Sequence, residues 1–418
     1  RGGAVSVPPQ PDLRAALAQA LALQDVGEPA GNVTIARGTL AGRVVHAALV
    51  ECRFASGAIG TREAERLGAL FRVAAIERSP IAIFLDSAGA KVSEGLAALG
   101  AFRALFRAGL DAALSGAPIA ALLGRNCFGG SSMLAHLAAH RLFSPATRLG
   151  MSGPAVIAAA GKMDPLDEMF RAMAEAAMSP AARTKASPAN EAWDAGGDLA
   201  AWLSAALSPV GDPAAAFQAR HAALAGRLGD AAPAAAAEPV RRRDLERIYP
   251  EGYEARESAG FLEGRGRGPA GEEAFLGIVG AAPLAAQRAW RFAEAAWRAP
   301  GSGTLRVFLD CASHATRLDE EKIVLSEYVV DMSVALAAAA RRGADVHLTI
   351  LGKAGGGVYV ALAAPAARVS SVHGADIQVL PGSAVAAILG ESREALPSFD
   401  NYRAARVADE ELRLGLAP

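Results

Sequence analysis

The sequence contains the same series of motifs twice. "IAIFLDSAGAKV" at 81–92 has a counterpart in "LRVFLDCASHAT" at 305–316, and a long stretch rich in Ala and Leu follows each. A glycine cluster comes next in each half, "ALLGRNCFGG" at 121–130 and "TILGKAGGG" at 349–357. Order, spacing and several identities agree, which predicts a duplicated domain, and two copies are too few for a solenoid. We therefore expect a pseudo-symmetric pair of domains.

Strand-like and helix-like patterns alternate within the first copy. Two β-rich runs with a Gly-containing turn occupy 32–52, a helix is predicted from Thr61 to Ile76, and "IAIFLD" is typical of a buried strand. Apolar residues from Leu96 to Leu114 then recur every three or four positions, as in an amphipathic helix. This alternation predicts an α/β fold with parallel strands.

The amino-acid composition changes between about 200 and 270, where Ala, Pro, Gly and Arg dominate and the sequence gives little indication of strands. We predict a helical extension at 1–32, a first domain at 33–200, a linker at 201–250 and a second domain at 251–418.

Composition narrows the classes of function. The chain has 42 Lys and Arg against 43 Asp and Glu, a balance that favours neither nucleic acid nor a membrane surface as partner. Its 3 cysteines lie far apart, which excludes a disulfide framework and fits a reducing compartment such as the cytoplasm. No uncharged apolar run long enough for a membrane span is present. We expect no metal site: "HLAAH" (136–140) lacks the Glu of a metalloprotease motif and predicts ordinary helix-face histidines.

The glycines indicate a chemistry. One group follows the strand that ends at Asp86, in "DSAGAKVSE", and the other is the pair Gly129 and Gly130 after the next strand. Loops that follow neighbouring parallel strands emerge at the same sheet edge, so both would present backbone N–H groups there. Two converging N–H groups form an oxyanion hole, which stabilises the enolate of a thioester. Close packing of a strand against a helix is the alternative interpretation.

Six motifs resemble a known family. They are "ASGAIG" (55–60), "LDSAGAKVSE" (85–94), "NCFGGSSM" (126–133), "TRLGMSGPAVI" (147–157), "VFLDCASHATRLDEEKIVLSEY" (307–328) and "LGKAGGGVYVAL" (351–362). The first four resemble the β subunit of malonate decarboxylase, a carboxyltransferase-type member of the crotonase-like superfamily, and the last two resemble its γ subunit. The resemblance covers roughly 33–190 and 250–418. It implies a fusion of the two subunits, with two crotonase-like (ββα spiral) domains in one chain.

The resemblance also implies a reaction, the decarboxylation of a malonyl thioester to the acetyl thioester and CO2. In that family an acyl-carrier protein holds the acyl group on phosphoribosyl-dephospho-CoA, and a separate transferase subunit loads malonate. Both would be supplied in trans, and this chain would bind no cofactor itself. Further association into a homo- or hetero-oligomer is expected, since such domains usually bury helical faces against other copies.

By the same resemblance, the active site lies where the two domains meet. The candidate oxyanion-hole residues are Ala88, Gly89, Gly129 and Gly130 in the first half and Gly355, Gly356 and Gly357 in the second. His314 lies in the loop equivalent to the first glycine loop, and would protonate the carbanion or hold the carboxylate. The candidate substrate-binding residues are Ser87, Lys91, Ser152, Gly153 and Lys353.

Two alternatives remain open. The glycine loops also suit the carboxyltransferase of a biotin-dependent complex, which moves the carboxyl group instead of releasing it. The loop "SAGAKV" has Ala88 and Lys91 where the family usually has Gly and Arg, and "DCASHA" departs as well. These departures favour a thioester-binding relative without turnover. The Arg-rich "RRRDLER" (241–247) predicts either a phosphate contact or a solvated linker face.

Overall fold

The residues that the structure describes form two α/β domains. The computed structural model describes residues 12–230, 242–268, 271–390 and 398–414. Within these ranges each domain contains one sheet of eight strands, mostly parallel. The predicted α/β fold of two duplicated domains is thereby confirmed.

The first domain carries the following elements. Its strands are β1 (Gln24–Asp25), β2 (Val33–Leu40), β3 (Arg43–Val50), β4 (Ile81–Ser87), β5 (Ile119–Phe128), β6 (His140–Phe143), β7 (Arg148–Gly150) and β8 (Asn190–Ala192). The helices from the start of this domain to the domain connection are α1 (Leu13–Ala20), α2 (Thr61–Glu77), α3 (Leu96–Ser115), α4 (Gly130–Ala135), α5 (Pro154–Gly161), α6 (Glu168–Met178), α7 (Pro180–Ala186), α8 (Leu199–Ala206) and α9 (Pro213–Ala225). Short 3₁₀ turns occur at Ala55–Gly57, Val92–Glu94 and Leu228–Asp230.

The second domain repeats this series. Its strands are β9 (Tyr253–Ser258), β10 (Phe261–Gly268), β11 (Gly271–Ala281), β12 (Gly303–Cys311), β13 (Ala344–Gly355), β14 (Arg368–Val372), β15 (Asp376–Gln378) and β16 (Glu410–Leu412). Its helices are α10 (Arg242–Ile248), α11 (Ala286–Arg298), α12 (Leu318–Lys322), α13 (Leu325–Arg341), α14 (Gly356–Ala363), α15 (Gly382–Leu389) and α16 (Phe399–Ala404). No helix in the described ranges is long and apolar enough to cross a bilayer.

The two sheets have the same topology. The strand order is β1-β2-β3-β4-β5-β6-β8 in the first and β9-β10-β11-β12-β13-β14-β16 in the second, with β7 paired to β5 and β15 paired to β13. The first three strands of each sheet are antiparallel, and the following pairs are parallel. The loops after β4 and β5, and after β12 and β13, therefore leave their sheets at the carboxyl edge, where α/β folds bind ligands.

Local sequence patterns account for the elements that flank the site. The helix predicted at Thr61–Ile76 is α2, and the apolar repeat from Leu96 onward forms α3. The apolar positions of α3 are buried, among them Phe102 and Phe106. The helix ends before Gly116, whose φ of 89° lies in the left-handed region that favours glycine at a helix end.

The region between 200 and 270 contains more regular structure than its sequence predicts. Helix α9 lies within the predicted linker and packs against α3, α11 and α13. The segment 261–268 is rich in Gly and Arg and has little β signal in its sequence. It forms β10, which pairs with a strand on each side. At Gly266 an added Cβ would lie 2.5 Å from the Tyr249 ring, so glycine lets an aromatic side chain cover the strand. Neighbouring strands and packing thus outweigh the weak local propensity. Pro269 and Ala270, which follow β10 in the sequence, lie outside the described residues.

The histidines of "HLAAH" do not share a helix face, so that prediction is wrong. Helix α4 ends at Ala135, His136 caps it, and His140 begins β6. His136 is buried and its Nε2 lies 2.9 Å from the Oγ of Ser326 in the second domain. Over the described ranges, no three His, Cys, Asp or Glu side chains come together in a group suited to a metal ion.

Helices related by the pseudo-symmetry join the domains. Helix α14 of the second domain packs on α3 of the first, α4 packs reciprocally on α13, and α5 packs on its equivalent α15. This exchange is the contact pattern of a pseudo-twofold axis. Most of α13 is buried, because it lies between its own sheet and the first domain.

Buried charges reinforce this interface. Glu327 of α13 accepts a hydrogen bond of 2.5 Å from Arg227 Nη2, and its other oxygen lies 3.7 Å from Nη2 of Arg141 in β6. Burial by itself would raise the pKa of Glu327, but Arg227, His136 and Arg141 outweigh burial and hold the pKa well below its usual range. The carboxylate therefore stays charged and ties the two domains together.

We expect Glu327→Gln to lower the free energy of unfolding by about 3–5 kcal/mol, because it leaves buried guanidinium groups without their partner. Urea denaturation followed by circular dichroism measures this loss. The matched control is Glu294→Gln, at an exposed pair 3.9 Å from Arg298, which should change stability by less than about 0.5 kcal/mol. Similar losses in both variants would show that the buried network does not stabilise the interface.

Candidate active site between the two domains

A cavity of about 340 Å³ lies between the two domains. The predicted site residues that line it are Ala88, Lys91, Gly129, Gly130, Ser152, Gly153, His314, Gly356 and Gly357. Four other predicted residues lie outside its wall: Ser87, Gly89, Gly355 and Lys353. The structure thus brings most of the predicted residues from both halves to one place.

Two predicted oxyanion donors of the first loop are already occupied. Ala88 donates its N–H to the carbonyl of Ser56 at 2.9 Å. Gly89 donates its N–H to Ser87 Oγ at 3.1 Å, and that hydroxyl also accepts from Ser131 Oγ at 2.7 Å. Ser87 therefore holds the loop together from inside, and the N–H groups of Ala88 and Gly89 are not free for a ligand.

Ala90 supplies a free donor in this loop. Ile59 donates to the carbonyl of Gly89 at 2.8 Å and accepts from the N–H of Lys91 at 2.9 Å. In such a parallel bridge the N–H of the intervening residue points away from the partner strand. The N–H of Ala90 has no acceptor within the described part of the chain, and Ala90 lines the cavity.

A second free donor comes from the start of α4. Gly129 donates its N–H to the carbonyl of Met151 at 3.1 Å, whereas Gly130 opens the helix and its N–H finds no acceptor among the described residues. A Cβ added at Gly89 would lie 3.2 Å from the nitrogen of Gly130, which shows how closely the two loops approach. A Cβ at Gly130 would lie 2.3 Å from the Phe102 ring. The first donor pair is therefore Ala90 and Gly130. Of the predicted set of Ala88, Gly89, Gly129 and Gly130, only Gly130 keeps a free N–H.

The second domain repeats this arrangement. Leu284 donates to the carbonyl of Ser313 at 2.9 Å and accepts from the N–H of Ala315 at 2.9 Å, so His314 takes the place of Ala90. Gly357 takes the place of Gly130, in the first turn of α14. Neither N–H has an acceptor in the described ranges, and both residues line the cavity. Two equivalent donor pairs thus line one cavity.

The His314 side chain forms a hydrogen bond across the domain interface. Its Nε2 lies 2.8 Å from Ser152 Oγ, and its buried Nδ1 has no hydrogen-bond partner within the described residues. Burial lowers the pKa of His314 to about 4. The imidazole is therefore neutral near pH 7, so His314 does not act there as an imidazolium acid in the resting site.

Glu321 of α12 fixes the backbone beside Ser152. Its carboxylate accepts the N–H of Ser152 at 2.7 Å and the N–H of Met151 at 3.0 Å, and lies 3.7 Å from Arg183 Nη2. Burial raises the pKa of Glu321 to about 7, although Arg183 and the two N–H groups oppose that change. A Cβ at Gly150 would lie 2.7 Å from this carboxylate, so glycine is required for the close approach.

The charged candidates are either paired or remote. Lys91 lines the cavity, but its Nζ lies 2.9 Å from Glu94 Oε1. Lys353 is exposed, and its backbone N–H donates to Asp310 Oδ1 at 2.8 Å. Gly355 is extended and buried in β13, where a Cβ would lie 2.6 Å from the carbonyl of Ala312. No cationic side chain other than Lys91 is among the described residues that line the cavity.

Of the arginine-rich segment at 241–247, the described residues 243–247 do not line the cavity. Arg241 lies outside the described residues, and Arg247 of α10 donates to the carbonyl of Leu414 at 3.0 Å. A phosphate contact by this segment stays a prediction.

Ala90 and Glu321 were not among the site residues predicted from the sequence. Ala90 had a signal, because alignment of the two copies on "FLD" places it opposite His314. Glu321 had none, since an acidic residue in "DEEK" is usually exposed.

Comparison with known proteins relates the first half of the chain to carboxyl transferases. Residues 9–169 match the family described as the carboxyl transferase domain. The methylmalonyl-CoA carboxyltransferase 12S subunit of Propionibacterium freudenreichii subsp. shermanii is 31% identical over 153 residues, which span 36% of this chain and 29% of that protein. The matched region is thus less than a third of the curated relative.

Solved structures show similarity over longer stretches at lower identity. The transcarboxylase 12S hexamer with hydrolysed methylmalonyl-coenzyme A bound is 18% identical, with a TM-score of 0.38 over 96% of this chain and 86% of that one. A Pseudomonas malonate decarboxylase hetero-tetramer in complex with malonate is 21% identical, with a TM-score of 0.44 over 52% of this chain and 88% of that one. The predicted carboxyltransferase resemblance is confirmed for residues 9–169, where the sequence match lies.

We expect His314 to destabilise the protein in mild acid. The unfolded chain binds this proton near the ordinary pKa of 6.5, whereas the folded chain binds it only near pH 4, so stability falls as the pH decreases between these values. Between pH 7 and pH 5 the expected loss is about 2 kcal/mol. Urea unfolding of wild type and His314→Gln at both pH values measures it, and the variant should lack this part of the loss.

Ser208→Ala is the control, because this exposed serine carries no titratable group. It should follow wild type at both pH values. An unchanged pH dependence in His314→Gln would contradict the buried neutral imidazole.

Proposed function

We propose that this chain is a carboxyltransferase-type enzyme that removes CO2 from a malonyl thioester and yields the acetyl thioester. The observation that carries the proposal is the pair of equivalent N–H donor sets, Ala90 with Gly130 and His314 with Gly357, on the wall of one cavity. The first set would bind the thioester oxygen. The second set would lie near the free carboxylate at the other end of the malonyl group.

The first donor pair has a defined task in this reaction. When the bond between the carboxylate carbon and the α carbon breaks, its electron pair moves into the thioester carbonyl and forms an enolate. The N–H groups of Ala90 and Gly130 would hold the oxygen on which this negative charge develops. Such donors lower the barrier because the charge is greater in the transition state than in the ground state. CO2 leaves, and a proton adds to the α carbon to complete the acetyl group.

The proposal extends to the partners that the motif resemblance implies. The chain would work as a fusion of β-like and γ-like halves, with an acyl-carrier protein that presents phosphoribosyl-dephospho-CoA and a transferase subunit that loads malonate. The presence of both donor sets in one chain supports the fusion, since one polypeptide supplies both sides of the cavity. Assembly into a larger homo- or hetero-oligomer is part of the same proposal.

Carboxyl transfer to biotin is the second candidate function. The 31% identity to a methylmalonyl-CoA carboxyltransferase subunit favours it, although that match spans only 29% of the relative. Both reactions pass through the same enolate, so the first donor pair serves either. The acceptor of the carboxyl group separates them.

We expect wild type to release CO2 from malonyl-CoA or a malonyl carrier, and Gly130→Ala to lower kcat/KM at least about 100-fold, because the new Cβ disturbs one oxyanion donor. The measurement is 14CO2 released from substrate labelled in the free carboxyl group. Gly211→Ala is the matched control, since no atom lies within 4 Å of a Cβ at that position, and it should keep wild-type activity.

The outcomes discriminate between the candidates. Equal activity in Gly130→Ala and wild type would place the reaction elsewhere. Labelled carboxybiotin formed in place of CO2 when biotin is added would favour the transferase. Thioester binding with neither product would favour a binding protein without turnover.

A further inference from the structure

A serine–histidine pair joins the two halves of the cavity. Ser152 belongs to the first domain and His314 to the second, and their side chains meet at 2.8 Å between Oγ and Nε2. Both residues are buried and both line the cavity. The Ser152 backbone is held separately, by Glu321. The serine hydroxyl is thus fixed from two sides and still forms part of the cavity wall.

The surroundings of His314 decide which atom carries the proton. The neutral imidazole has one N–H, and its enclosed Nδ1 has no partner within the described residues. An orphaned N–H donor is rarer in proteins than an under-satisfied acceptor, so the proton is expected on Nε2. Nε2–H then donates to Ser152 Oγ. Because the oxygen accepts this bond, the Ser152 O–H is left as a donor for a ligand.

This hydroxyl has no counterpart in the other half of the pseudo-symmetric cavity. Gly150 pairs with the last residue of β5, and Gln378 pairs with the last residue of β13, so these two residues occupy equivalent positions. Two residues further on, Ser152 corresponds to Leu380, which also lines the cavity. At this pair of equivalent positions, a side-chain donor is therefore present only at Ser152, beside the loop of the second domain that carries His314.

We propose that the Ser152 hydroxyl, oriented by His314, binds the free carboxylate of the acyl substrate, so that the enzyme selects dicarboxylic acyl groups. This inference rests on the proposed function, because it assumes that the Ala90 and Gly130 pair takes the thioester oxygen. The N–H groups of His314 and Gly357 lie on the same side of the pseudo-symmetric arrangement and complete the carboxylate subsite.

A carboxylate subsite made of neutral donors suits decarboxylation. The cavity wall offers hydroxyl and backbone N–H groups, and its one lysine is paired with Glu94. A cation beside the carboxylate would stabilise the ground state more than the transition state, in which that charge moves to the thioester oxygen. Neutral donors select the carboxylate without holding its charge in place.

The test measures binding without turnover. The probes are the amide analogues of malonyl-CoA and acetyl-CoA, in which NH replaces the thioester sulfur, and calorimetry gives their dissociation constants. For Ser152→Ala we expect the malonyl analogue to bind at least about tenfold more weakly, as for loss of a hydrogen bond to a charged group, and the acetyl analogue to bind as in wild type. Ser152→Thr keeps a hydroxyl and should retain the preference. Ser208→Ala, at an exposed serine, is the control.

Each result supports or overturns the inference. Equal weakening of both analogues in Ser152→Ala would show that Ser152 only shapes the pocket. If wild type binds both analogues with equal affinity, the carboxylate subsite is absent although the thioester site stands. If wild type binds neither analogue, the proposed function fails together with this inference.

A second measurement needs only the wild-type protein. Nitrogen-15 NMR distinguishes the two imidazole tautomers, and His314→Gln identifies the resonance. We expect His314 to carry its proton on Nε2. The opposite tautomer would make Ser152 the donor to His314 and would overturn the inference.

Discussion

The carboxylate of Glu321 is the contact on which the geometry of the cavity depends. It comes from the second domain, yet it accepts two backbone N–H groups of the first, from Met151 and Ser152. The carbonyl of Met151 in turn accepts the N–H of Gly129, next to the free donor of Gly130. One buried acid thus sets the position of a serine from one domain relative to a histidine from the other. Its burial is tolerated because Arg183 and the N–H groups compensate the charge.

The donors of the candidate site are backbone N–H groups that form no hydrogen bond within the described part of the fold. In each domain a neighbouring backbone segment forms hydrogen bonds with the residues before and after one loop residue, which is Ala90 or His314. The N–H of that loop residue is left unpaired. The following helix adds a first-turn N–H that no helical carbonyl can reach. Such donors need no particular side chain, which is why Ala can stand at Ala90. The N–H groups of the adjacent residues Ala88, Gly89 and Gly129 are not free donors, because each already has an acceptor within the protein.

Duplication supplied two equal donor pairs, and side chains then made them different. At equivalent positions the first domain has Ala90 where the second has His314, and the first has Ser152 where the second has Leu380. At these equivalent positions one half of the cavity has Ala90 and Leu380, which offer no side-chain donor, and the other has the Ser152 hydroxyl held by the His314 imidazole. A substrate with a neutral thioester at one end and a carboxylate at the other matches this difference.

The amino-acid sequence by itself determined the duplication, the α/β class and the strands and helices around the glycine loops, because these follow from local periodicity and from motifs that recur at similar spacing. It also placed His314 and Ser152 among the candidates. Only the tertiary structure decided that these two side chains touch, that Lys353 faces solvent, and that weak segments such as β10 form strands between neighbours. The choice of Ala90 over Ala88 was likewise tertiary. Whether a backbone N–H is free depends on acceptors far away in the chain, such as Ser56, and local sequence carries no record of them.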